Sequence, residues 1–115
     1  MTFNGEIYNY VELRKELKGL GYTFHTEGDG EPIVVGYHHW GKDVVNHLRG
    51  MFGIVIWDTH TKTMFAARDQ FGIKPLYYAT TDAGTVFASE MKCILEMADE
   101  IGLELNLDRR AIEHY

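Results

Sequence analysis

The sequence predicts an α+β domain built in layers with antiparallel sheets, and three observations point there. Residues 10–20 carry apolar side chains at helical spacing. Residues 51–57, Met-Phe-Gly-Ile-Val-Ile-Trp, contain no polar side chain, which marks a strand buried on both faces. The strand-like segments from Met51 to Ala88 are separated by hairpin-length turns, which suits antiparallel pairing better than a doubly wound parallel sheet. A strand buried on both faces needs a layer above and a layer below, either a second sheet or helices.

The chain has 115 residues, enough for one small domain. Its formal net charge of −6 gives no electrostatic case for nucleic acid. No apolar run reaches membrane-spanning length and no signal segment is expected, so a cytoplasmic location is the default expectation. The single cysteine, Cys93, excludes an intramolecular disulfide and a cysteine-based zinc cluster.

Taken in order, Thr2, Phe3 and Ile7 favour a strand. Asn9 followed by Glu12 has the spacing of a capping box, so that strand runs straight into a helix. Between them, Asn4-Gly5-Glu6 sets an amide, a bare backbone and a carboxylate at one strand end. An amide beside a glycine N–H is one way to aim two donors at a developing oxyanion. The plainer reading, favoured on these three residues alone, makes Gly5 a hinge and Glu6 a solvated carboxylate.

Tyr10, Leu13, Leu17 and Leu20 predict a helix over 9–19, with Arg14, Lys15, Glu16 and Lys18 on its other face. Gly19 and Gly21 supply its stop. Tyr22-Thr23-Phe24 predicts a short strand. Glycines on both sides of Asp29 force a tight turn, and Pro32 fits the first turn of a second helix. Ile33, Val34, Tyr37 and Trp40 form its apolar face, and Gly41 ends it. Asp29 thus has a structural role as a cap at that helix start. Binding a substrate ammonium is the rarer role for such an aspartate.

Met51–Trp57 and Met64–Ala67 predict two buried strands around the polar turn 58–62. Arg68 to Pro75 predicts a charged turn in which Arg68-Asp69 locks the backbone. Strands at 76–79 and 85–88 complete a four-strand meander. Ser89 is expected to cap a helix carrying Met91, Ile94 and Leu95, and Asp108 to cap another that runs to Tyr115. The six histidines are scattered away from acids at ligand spacing, so no metal site is expected. No Gly-x-Ser-x-Gly elbow and no glycine-rich loop ending in Lys-Ser or Lys-Thr is present. Cys93, beside Ile94, reads as a packed residue rather than a nucleophile.

The joint order of the motifs is more specific than any one of them. Asn-Gly-Glu-Ile-Tyr-Asn-Tyr at 4–10 with Glu12-Leu13-Arg14 resembles the glutaminase domain of glutamine-dependent asparagine synthetases. So do Gly28-Asp29-Gly30-Glu31, Trp40-Gly41, Arg49-Gly50-Met51-Phe52 and Arg68-Asp69. Gly72-Ile73-Lys74-Pro75-Leu76-Tyr77-Tyr78 and Phe87-Ala88-Ser89-Glu90 complete the set. The resemblance runs from Phe3 to about Leu95, and more loosely to Tyr115.

The resemblance implies an N-terminal-nucleophile hydrolase-like fold, a four-layer αββα sandwich of antiparallel sheets of which 1–115 is part. In that family an N-terminal cysteine hydrolyses glutamine, and the ammonia passes to a second domain that uses ATP and Mg2+ to amidate aspartate. Carried over by residue, the Asn4 side chain and Gly5 N–H would form the oxyanion hole, and Glu6 and Asp29 would hold the α-ammonium of glutamine. Arg68, Asp69 and the Lys74-Pro75 turn look like scaffold. Met1-Thr2 stand where the family has a few dozen more residues beginning Cys-Gly, and no Ser-Gly-Gly-x-Asp-Ser loop follows. Neither Cys93 nor Thr2 fits the nucleophile's place. The chain is therefore expected to be an incomplete glutaminase domain, inactive alone, marginal or self-associating, with no cofactor of its own. Glutamine is the expected partner, with aspartate and ATP in a full-length enzyme and neither nucleic acid nor membrane; a homodimer stays open. Two alternatives also stay open: the glutaminase of another class II amidotransferase, and a non-catalytic glutamine-binding remnant.

Overall fold

A computed structural model describes residues 1–106. The chain divides into two compact units, Met1–Leu76 and a second from Tyr77 onward.

In the first unit, β1 (Thr2–Ile7), β2 (Gly50–Asp58) and β3 (Thr63–Arg68) form one antiparallel sheet in that order. Asn4 faces Gly53 and Gly5 faces Phe52 across β1–β2, while Ile54 faces Ala67 and Ile56 faces Phe65 across β2–β3. Strand side chains alternate between faces, so this register puts Phe3, Ile7, Phe52, Ile54, Ile56, Phe65 and Ala67 on one side. Helix α1 (Tyr10–Gly19) contributes Leu13 to that side, and α2 (Gly30–Trp40) contributes Ile33. A 3-10 turn, Gly41–Asn46, adds Val44. Ile7, Ile33, Val44 and Ile54 are fully excluded from solvent, and each such side chain contributes about 1.5–3 kcal/mol relative to exposure.

The other face of the sheet is not covered to the same degree. Val55 is half-buried, Trp57 is half exposed, and Met64 and Ala66 on β3 are exposed. The expectation of two strands buried on both faces thus holds for one face only. Nor is there a four-strand meander: β4 (Tyr77–Thr81) and β5 (Gly84–Ala88) form a separate antiparallel hairpin in the second unit. The charged segment 69–76 separates the two sheets in sequence.

Three further expectations are corrected. Tyr22-Thr23-Phe24 forms no strand; no β-strand pairs with it, and its aromatic rings pack instead on helical side chains, Tyr22 on His38 and His39 and Phe24 under Arg14. Helix α3 (Met91–Glu96) takes Glu90 rather than Ser89 as N-cap, with no side-chain cap bond, and a short α4 (Ala98–Ile101) follows it. Cys93 on α3 is exposed rather than packed. The expected Asp108 cap lies outside the described residues. Among those residues no helix is long and apolar enough to cross a membrane.

Candidate active site

The geometry of the candidate site starts at the outer edge of β1. Tyr8 gives its N–H to the Arg49 carbonyl at 2.7 Å, which makes that pair a hydrogen-bonded one. In an antiparallel ladder such pairs alternate. Counting back by twos, the N–H groups of Glu6 and Asn4 face β2, whereas those of Ile7 and Gly5 point away from it. The Ile7 N–H meets the Asp29 carboxylate there, at 2.9 Å from Oδ2. The Gly5 N–H emerges on the same edge two residues earlier.

Gly5 is more than a hinge. Its φ is +145°, and a Cβ placed on it would run into the Met51 carbonyl oxygen and come within 2.8 Å of the Phe52 Cα. Only glycine combines that backbone angle with so close an approach to β2. Asn4 and Glu6 flank it with exposed side chains on the sheet face opposite the core.

Gly5, Glu6 and Asp29 converge on one hollow of about 360 Å³, completed by Tyr10, Glu27 and Gly28. That volume suits a small polar molecule. Asn4 is adjacent in sequence but does not line the hollow. Two wider hollows, of about 560 and 760 Å³, lie against the 68–73 loop and against Trp57. Neither includes Asn4, Gly5, Glu6 or Asp29.

Asp29 and Asn9 both occupy N-cap positions, yet neither side chain caps its helix. Asp29 spends its Oδ2 on Ile7. Asn9, which is buried, accepts the Arg49 N–H at 2.8 Å and donates to the His47 carbonyl at 2.9 Å. It thereby extends the β1–β2 pairing past Ile7 and fixes the far end of the strand that carries the candidate site.

The loop before Asp29 is held by charge. Arg14, expected on the solvent face of α1, is only 7% exposed. Its guanidinium donates to the Thr26 carbonyl and, at 2.7 Å, to the Gly28 carbonyl. The signal was in the spacing: Arg14 lies four residues after Tyr10 and three before Leu17, within the apolar stripe itself. Glu31 accepts the N–H groups of His25 and Thr26 at 2.8 and 2.7 Å. Those bonds, the His25 N–H first and the Thr26 hydroxyl next, hold its carboxyl down at about 2.

Arg68 and Asp69 behave as the lock the sequence suggested. Asp69 accepts the N–H groups of Phe52, Phe71, Ile73 and Lys74 at 2.9–3.1 Å, and the Lys74 N–H above all lowers its carboxyl to about 2. Arg68 donates to the Gly72 and Lys74 carbonyls at 2.6 and 2.7 Å. Both residues serve the backbone.

Comparison with known proteins shows the family of the chain. A family model described as a glutamine amidotransferase domain matches residues 1–115. A Mycobacterium tuberculosis protein assigned by name to the glutamine-hydrolyzing asparagine synthetases is 54% identical over 116 residues, covering all of this chain and 18% of that protein. Asparagine synthetase (glutamine-hydrolyzing) 1 of Bacillus subtilis is 44% identical over 115 residues, again covering 100% of this chain and 18% of that one. The chain thus spans about a fifth of the length of these relatives. Among solved structures, the glutamine phosphoribosylpyrophosphate amidotransferase of B. subtilis, complexed with ADP and GMP, superposes with a TM-score of 0.70 at 25% identity. That match covers 88% of this chain and 23% of the other, and it bears out the expected α+β, N-terminal-nucleophile hydrolase-like fold. The chain belongs to the glutamine amidotransferase domain family, and its similarity is to the glutaminase part of glutamine-hydrolyzing asparagine synthetases.

Proposed function

We propose that residues 1–115 are part of the glutaminase domain of a longer asparagine synthetase, in which glutamine is hydrolysed to glutamate and ammonia. The ammonia then amidates aspartate in an ATP- and Mg2+-dependent domain outside these residues. One observation carries the reading most strongly: two carboxylates, Glu6 and Asp29, share a hollow with the strand edge from which the Gly5 N–H emerges. In this reading the carboxylates hold the α-ammonium of glutamine. When a nucleophile attacks the side-chain amide carbon, the developing oxyanion takes hydrogen bonds from the Gly5 N–H and the Asn4 amide. The Gly5 N–H is held by the strand before substrate arrives, which is what makes such stabilisation effective. The high identity to named asparagine synthetases supports aspartate as acceptor.

The test is product analysis on the full-length enzyme, given glutamine labelled with 15N in its side-chain amide, aspartate, ATP and Mg2+. The reading expects glutamate and asparagine in equal amounts, with the label in the asparagine amide. Label passing to another acceptor, or glutamine left intact while free ammonia is used, would overturn it.

A further inference from the structure

We propose that Arg14 is a positioning residue for the ammonium end of this site, acting through the backbone of residues 26–28 and not on substrate. The inference rests on the reading that Glu6 and Asp29 hold that ammonium.

Arg14 does not line the hollow formed by Gly5, Glu6, Tyr10, Glu27, Gly28 and Asp29. It lies behind it. Its guanidinium joins two carbonyls, those of Thr26 and Gly28, on either side of Glu27. The Phe24 ring lies 5.0 Å from the guanidinium carbon and shields it from water. The ion pair with Glu27, at 3.6 Å, involves a fully exposed carboxylate and adds little.

The same short loop is gripped from α2 through its opposite polarity. Glu31 takes the N–H groups of His25 and Thr26 and the Thr26 hydroxyl, all at 2.7–2.8 Å. A guanidinium on the carbonyls and a carboxylate on the N–H groups tie the loop from two sides. Gly28 would otherwise be its softest link, because glycine has the widest backbone freedom. The bond from Arg14 fixes the peptide that leads directly into Asp29, and Asp29 is then aimed at β1 through Ile7.

A core that needed only packing here would take an aliphatic side chain, as it does at Leu13 and Leu17. A buried guanidinium is costly to desolvate, and its two carbonyl bonds compensate only while the loop stays in place. Lysine cannot substitute, because a point donor does not span two carbonyls as the planar fork does.

The experiment is steady-state kinetics of Arg14→Lys and Arg14→Ala in the full-length enzyme, with glutamine and with ammonia as nitrogen source. A misplaced ammonium ligand weakens ground state and transition state together, so KM for glutamine should rise roughly 10- to 100-fold with kcat changed far less. Ammonia-dependent synthesis should fall by much less than glutamine-dependent synthesis. The deciding variant is Arg14→Lys combined with Asp29→Asn, which should add little to the KM of Asp29→Asn alone, because both act on one contact. An unchanged KM in Arg14→Lys, or additive effects in the double variant, would overturn the inference. Should Arg14→Ala not fold, Arg14→Lys and the double variant still decide. A wild-type enzyme unable to use glutamine would instead remove the functional reading beneath it.

Discussion

Asp29 Oδ2 accepts the backbone N–H of Ile7 at 2.9 Å, across 22 positions of chain. That bond joins the start of α2 to the outer edge of β1 and brings a carboxylate to the strand that carries Gly5. No other hydrogen bond to Asp29 is found among the described residues, so Oδ1 is available to a ligand. A helix cap and a substrate ligand would use the carboxylate differently, and here the carboxylate does not cap α2.

If Asn4 supplies half of the oxyanion hole, Asn4→Ala should lower the glutamine-dependent kcat of the full-length enzyme about 10²- to 10³-fold. KM should change little, because the contact forms in the transition state. Ammonia-dependent synthesis is the internal comparison. Equal losses on both nitrogen sources would show Asn4 to be structural.

Gly5→Ala should fail at an earlier stage. The added Cβ meets the Met51 carbonyl across the β1–β2 pair, at a φ of +145°. Overpacking and backbone strain together should cost about 3 kcal/mol or more. The expected readout is loss of the cooperative thermal transition, or a large fall in its midpoint. A variant that melts like the wild type would mean that β1 can shift, and the close approach would then set nothing.

Asp69 and Glu31 both have carboxyls held at about 2, below their ordinary values of 3.8 and 4.5. The folded state therefore favours their ionised forms, and their contribution is complete above those ordinary values. It is lost as the pH falls through the window toward 2. Asp69→Asn gives up the charge and half of the accepting capacity for four backbone N–H groups. It should melt several degrees lower near neutral pH, and the gap to wild type should close as the pH falls from 4 to 2. Thermal melts at a series of pH values check this. A gap that stays constant with pH would contradict it.

The sheet face opposite the core carries Val55, Trp57, Met64 and Ala66, with Trp57 50% and Met64 48% exposed. Apolar surface of that kind drives association. The 115-residue chain alone should show a sedimentation-derived mass that rises with concentration, and Trp57→Lys with Met64→Lys should reduce the rise. A sharp, concentration-independent monomeric melt would go against this.

Much of this architecture is legible in the residues. Helices over 10–19 and 30–40 follow from spacing, and the 58–62 turn follows from Asp58, whose Oδ1 accepts the His60 and Thr61 N–H groups. The Asp69 lock is legible because a charged pair at the end of a buried strand more often locks the next turn than forms an active site. Asn9 and Asp29 are not, for a reason of chemistry. A short side chain at an N-cap can bond any N–H brought near it, and the bonds that win here come from Arg49 and Ile7, far away in sequence. The charge of Arg14 suggests solvent, but its position lies in the apolar stripe and the side chain is buried. Phe24 and Tyr22 have strand propensity, but a strand exists only with a partner, and propensity names none. For Met64 and Ala66 the same holds in reverse: apolar composition records compatibility with burial, not what covers the face.

The role of Asp29 separates a glutamine-binding site from a structural tie between α2 and β1. The most direct measurement compares Asp29→Asn with the wild type in the full-length enzyme, using glutamine and then ammonia as nitrogen source. Losing a charge-assisted hydrogen bond to the ammonium should cost about 2 kcal/mol, a fall of roughly 30-fold in kcat/KM for glutamine. The ammonia-dependent rate should stay close to wild type. Equal losses with both nitrogen sources, accompanied by a lower melting temperature, would show that Asp29 only ties α2 to β1.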